Sequence, residues 1–201
     1  MTVRLVEIPG TALLVPGAAG RADVLPEARR AVLDALALAL APAGSSENGT
    51  DRVVVVAPGP RPRRGALRPD LAQAGLEPSR LGWAVPPSGA DDGAGDPAGV
   101  AASVALLALA AAGWRGPVDV VEVVRGRPDE AAVPAGAVPP ETSWSTTCAV
   151  PGTLVVGVDD AARHLAAQAG VDVRGEVLFS GPGPGGADYE VASASFPVVA
   201  A

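Results

Sequence analysis

Along the chain the spacing of apolar residues alternates between strand-like runs and helical stripes, and turn residues separate them. Val3–Ile8 reads as a short strand that stops at Pro9-Gly10, and a second apolar patch, Thr11–Val15, stops at Pro16-Gly17. Val32, Leu33, Leu36 and Leu40 then recur at helical spacing, with Arg29, Arg30 and Asp34 off the stripe. Asp23 is placed to cap this helix, and Pro26 falls in its first turn, where a missing N–H costs little. After the polar turn GSSENGT (44–50) comes RVVVVAPGP. Four consecutive valines between turn residues predict a strand buried on both faces, as in a parallel sheet covered by helices.

The second half repeats this alternation. Ala98–Ala112 predicts a buried, alanine-rich helix ended by Gly113, and Pro117 opens the strand VDVVEVV (118–124). Residues 126–152 are proline-rich without a period and read as a long loop. Leu154–Val158 predicts a strand and Asp160–Ala169 a helix stopped by Gly170. Two last strands, near Glu176–Ser180 and Tyr189–Val199, would pair across GPGPGGA. The expected fold is therefore α/β: three α/β/α layers, a mostly parallel or mixed central sheet, and a C-terminal antiparallel hairpin. The flexible-looking stretch 86–97 is too short to mark a domain boundary, so residues 1–201 are expected to form one domain.

Composition narrows the function classes. Apolar residues make up 48% of the chain but aromatics only 3%, so alanine, valine and leucine must fill the core. Every basic side chain is arginine, beside 25 glycines and 21 prolines, which reads as a GC-rich coding bias and discounts glycine- and arginine-based motifs. A net charge of −7 offers no basic field for nucleic acid. The single cysteine, Cys148, permits no internal disulfide, and Glu7, Pro9 and Gly10 interrupt any signal-peptide core. The apolar stretch near 100–114 is too short for a membrane span, so a cytoplasmic protein without membrane contact is expected.

Candidate chemistry concentrates in LVVGVDDAARHL (154–165), where Asp159 and Asp160 precede the chain's one histidine, His164. Asp160 and His164 would share a helical face, yet a metal would need a third ligand from elsewhere. The plainer expectation is that Asp159 caps the helix and His164 is a surface or half-buried residue. In GPRPRRG (59–65), Arg61, Arg63 and Arg64 could clamp an anionic ligand at the end of a strand, or simply form a solvated loop. GPGPGG (181–186) lacks the N–H donors and the following helix of a phosphate cradle, so a hairpin connection is expected. TSWSTTC (142–148) offers Cys148 as a nucleophile only if His164 lies beside it, while Trp83 and Trp114 are expected to pack on the core.

Five stretches carry a resemblance to a known family: VEIPGTALLVPG, DRVVVVAPG, SVALLALAAAGWRGPVDVVEV, LVVGVDDAAR and LFSGPGPGGADYEVASASF. In order and wording they resemble the class III extradiol dioxygenase subunit-B-like proteins. That resemblance implies Fe(II), held by two histidines and a carboxylate, and cleavage of catechol-type rings with dioxygen. It also implies that the histidines come from the loops after the first and second strands, here IPGTALL (8–14) and APGPRPRRG (57–65), and neither contains one. One histidine in the whole chain cannot build a two-histidine site within one subunit. The expectation is thus a degenerate member with no metal or other cofactor and without ring-cleaving activity. It would bind a small anionic or aromatic molecule, or a protein, between loops 8–17 and 57–65, with Thr11, Arg61, Arg63 and Arg64 as ligand-binding candidates. Two alternatives remain open. One is an enzyme with repurposed chemistry at Asp159, Asp160 and His164, or at Cys148. The other is a subunit whose site is completed by a homo-oligomer or a partner chain.

Overall fold

Alternation along the valine-rich strands determines how the layers assemble. The structure, a computed structural model, describes residues 2–41, 50–77, 80–83, 95–124, 148, 150, 152–186 and 188–197. Its strands are β1 (Thr2–Ile8), β2 (Arg52–Pro58), β3 (Arg63–Gly65), β4 (Val118–Val123), β5 (Thr153–Val158), β6 (Glu176–Pro182) and β7 (Asp188–Pro197). They form one seven-stranded sheet in the order β3-β4-β2-β5-β1-β7-β6. The four central strands run parallel, with Val55 of β2 level with Val120 of β4 and Val156 of β5. β3 joins one edge antiparallel, and the β7–β6 hairpin joins the other.

Among the described residues, three helices cover this sheet: α1 (Pro26–Leu40), α2 (Val100–Ala111) and α3 (Ala161–Gln168). Successive strand residues face opposite sides, so Val53 and Val55 pack in one core with Val32 and Leu36 of α1 and Val104 and Leu107 of α2. Val54 and Val56 pack in the other, with Ala161, Ala162 and Leu165 of α3. Each fully buried valine or leucine contributes roughly 1.5–3 kcal/mol. The architecture is α/β with three α/β/α layers, a mixed sheet and the expected C-terminal antiparallel hairpin.

Most helix ends follow the sequence. Gly113 and Gly170 adopt positive φ, 99° and 72°, just beyond α2 and α3. Pro26 does open α1, but Asp23 does not cap it. Leu25 holds the N-cap position without a side-chain bond, and Asp23 pairs with Arg29 at 2.8 Å. The stripe on α1 is centred on Ala28, Val32, Ala35, Leu36 and Ala39, while Leu33 and Leu40 are partly buried beside it. Trp83 is buried in the core and Trp114 packs against it, as expected.

Two loop readings change. Thr11–Val15 contains a single helical turn, Ala12–Leu14. The segment read as the loop GPRPRRG contains β3, whose partner β4 supplies the hydrogen bonds that so short and charged a stretch needs to form a strand. Trp144, and the expected turn and long loop apart from their last residues, lie outside the described residues. Among the described residues, no helix is long and apolar enough to cross a membrane.

Candidate functional site

The parallel strands β1, β2, β4 and β5 all end on the same side of the sheet, and there the chain leaves a cleft of about 600 Å³. Its wall contains Gly10 after β1, Pro58, Gly59 and Pro60 at the end of β2, Val124 after β4 and Asp159 after β5. The first turn of α2, from Gly99 to Ala101, closes the far side, and Gln73 adds one polar side chain. In open α/β sheets the carboxyl ends of the strands are where ligands bind, because the diverging loops leave a crevice there.

Glycines shape this wall because the chain passes so close to itself. A Cβ on Gly10 would lie 2.8 Å from Asp159 Oδ2 and 2.9 Å from Val158 Cγ1. On Gly59 it would lie 2.7 Å from Glu122 Oε2. Both approaches are closer than any side chain tolerates, so backbone forms the lining at these points.

Among the described residues, Asp159 is the one carboxylate in that lining. Its φ is +55°, a left-handed conformation that aspartate tolerates better than most residues. Its N–H donates to Ile8 O, and its Oδ1 accepts from Gly10 N, each at 2.8 Å. It therefore ties the end of β5 to the end of β1 and does not cap α3, as the sequence had suggested. Asp160 holds the N-cap position without a side-chain capping bond.

Behind the cleft lies Glu122, a wholly buried carboxylate on β4. Its Oε1 accepts from Gly99 N at 2.6 Å, and its Oε2 accepts from Arg63 Nε at 2.6 Å. Glu122 thus anchors the start of α2 and the edge strand β3 at once. Its charge-assisted bond to Arg63 raises the guanidinium's pKa further above its ordinary value. No functional reading of the sequence singled out Glu122 or Glu7. The available signal was an acid inside each apolar strand, in VDVVEVV and in VRLVEI.

The other candidates scatter. Thr11 stabilises its own turn, its Oγ1 accepting from Leu13 N at 3.3 Å. Arg61 is exposed beyond β2. Arg63 is held by Glu122, and Arg64 pairs with Asp119 at 2.7 Å, where Arg52 also binds at 2.8 Å. None of these residues lines the cleft. His164 is exposed on α3, with Nε2 3.0 Å from Gln168 Nε2 one turn along. The helical bond from His164 N to Asp160 O, 2.9 Å, links the two. Cys148 is buried in the core cluster on the α3 side of the sheet, and burial pushes its thiol up to about 12, which keeps it protonated and a poor nucleophile at neutral pH.

No protein-family model, curated protein or solved structure matches the chain.

A two-histidine, one-carboxylate iron site does not fit these residues. The loops after β1 and β2 bring Gly10 and Gly59 to the cleft, and the one histidine points elsewhere in the fold, from α3 to solvent. Among the described residues, no group of three histidines, cysteines or acids is placed to hold a metal. The arrangement sets the Asp159 carboxylate beside a shallow wall of glycine, proline, valine and alanine.

Proposed function

We propose that this chain is a degenerate member of the class III extradiol dioxygenase subunit-B-like family, cytoplasmic and without ring-cleaving activity. It serves as a small-molecule-binding domain. The observation that carries the reading is the cleft itself. It lies at the carboxyl ends of β1 and β2, where the resemblance puts the catalytic loops, and glycines line it where histidines would be required. The ligand is a small molecule that presents a hydroxyl or amine to Asp159 and an apolar body to Val100, Ala101 and Val124. This differs from an arginine-clamped anion, because Glu122 and Asp119 engage two of the three arginines.

A panel of catechols, aromatic amines, hydroxy acids and simple anions, titrated by calorimetry against the wild type and Asp159→Asn, tests this. Saturable binding of a donor-bearing compound is expected, weakened about tenfold by Asp159→Asn, since a hydrogen bond to a charged group is worth roughly 1.5–3 kcal/mol. Stoichiometric Fe(II) in freshly purified protein, together with catechol-dependent O₂ consumption, would overturn the proposal.

A further inference from the structure

On the face of the sheet opposite α1 and α2, a second buried acid sits under α3. Glu7 of β1 is only 6% exposed. Its Oε2 accepts from Arg163 Nη2 on α3, while Oε1 is buried without a partner. Arg163 Nε is buried without a partner as well. Three elements pack around the carboxyl. From α3 come Arg163 and, at its N-cap, Asp160; from β7 comes Glu190, whose Oε1 lies 4.0 Å from Arg163 Nη2; from β5 comes the uncharged Gly157. One guanidinium therefore serves two carboxylates, with a third acid close by.

The seating of α3 over this group is tight. A Cβ at Gly157 would lie 2.7 Å from Ala162 Cβ and 3.2 Å from Glu7 Cγ. In this seating the unpartnered oxygen is buried from solvent. A neutral carboxyl tolerates that enclosure much better than a carboxylate does, because burying charge without a full set of hydrogen bonds is costly.

We propose that Glu7 and Arg163 form a proton-controlled latch, which holds α3 against the sheet while Glu7 is protonated and loosens when the proton leaves. Burial pushes Glu7 up to about 7, against the opposing pull of Arg163 and with the help of Glu190 and Asp160. With α3 lifted, the hydrated carboxyl titrates near its ordinary 4.5. The closed state therefore holds the proton more tightly than the open one. The latch is fully closed below the ordinary value and weakens as pH rises from about 4.5 to about 7. The opening equilibrium changes on the order of a hundredfold across that window. Asp159 lies two residues before α3, so the latch also governs one rim of the cleft.

Amide hydrogen exchange on the full chain, corrected for the intrinsic pH dependence of exchange, tests the latch. Between pH 5.5 and 8.5, protection over Ala161–Gln168 should fall roughly tenfold or more, while protection in β2 stays level. Glu7→Gln should remove the pH dependence, and Arg163→Met should shift it to higher pH. A level profile for α3 in the wild type, or an unchanged slope in Glu7→Gln, overturns the proposal. The carbon chemical shift of the wild-type Glu7 carboxyl gives a check that needs no variant. A midpoint near 7 supports the latch, and one at the ordinary glutamate value refutes it.

Discussion

Glu122 and Glu7 are both strand acids buried beneath helices, and they differ in how completely they are satisfied. Both oxygens of Glu122 accept a hydrogen bond, one from the backbone of Gly99 and one from Arg63. Glu7 has a partner on one oxygen only. The first arrangement suits a permanently charged structural anchor, the second a group that gains and loses a proton. Glu122→Leu would remove the charge and strand the buried Gly99 N–H and the partly buried Arg63 guanidinium, so it should cost about 3 kcal/mol or more in urea unfolding. A loss below about 1 kcal/mol, roughly that of an exposed ion pair, would show that Glu122 does not anchor α2 and β3. The acids were visible in the sequence as interruptions of apolar strands. Their partners were not, because Gly99 and Arg63 are 23 and 59 residues away, and only the antiparallel pairing of β3 with β4 and the docking of α2 bring them to Glu122.

At the scale of elements, the junction after β5 shows how close packing overrides a local rule. Two aspartates before a helix suggest capping, yet Asp159 turns to the left-handed region and binds the end of β1, which tertiary contact places 2.8 Å away. Gly157 plays the complementary part. Its missing side chain lets the alanine face of α3 settle directly on the sheet. Gly157→Ala should therefore push α3 outward and destabilise the chain by about 1–3 kcal/mol, the usual cost of overpacking, as read by thermal unfolding. A stability within 0.5 kcal/mol of wild type would mean that α3 has slack over β5. β3 illustrates the opposite case. Three residues with two arginines carry no strand signal of their own, and the exposed edge of β4 recruits them through backbone pairing and through Glu122 and Asp119.

For the whole molecule, the order of the strands sets both stability and the position of the cleft. β2 and β5 lie inside the sheet with both faces covered, whereas β6 is an edge strand with Val177 and Leu178 exposed. Native-state hydrogen exchange should accordingly be slowest in β2 and β5 and fastest among the strands in β6. Comparable protection in β6 would indicate that something covers that edge in solution. By itself the sequence determined the α/β class, the parallel valine-rich centre, the closing hairpin and the lack of two histidines for one iron site. All of these follow from local periodicity and from counting. Only the tertiary structure decided that Asp159 and three distant glycines share a cleft, that Glu122 and Asp119 engage Arg63 and Arg64, and that Glu7 is enclosed beneath α3. Those relations join residues from different strands, and their distances are set by register and layer packing, which no window along the chain contains.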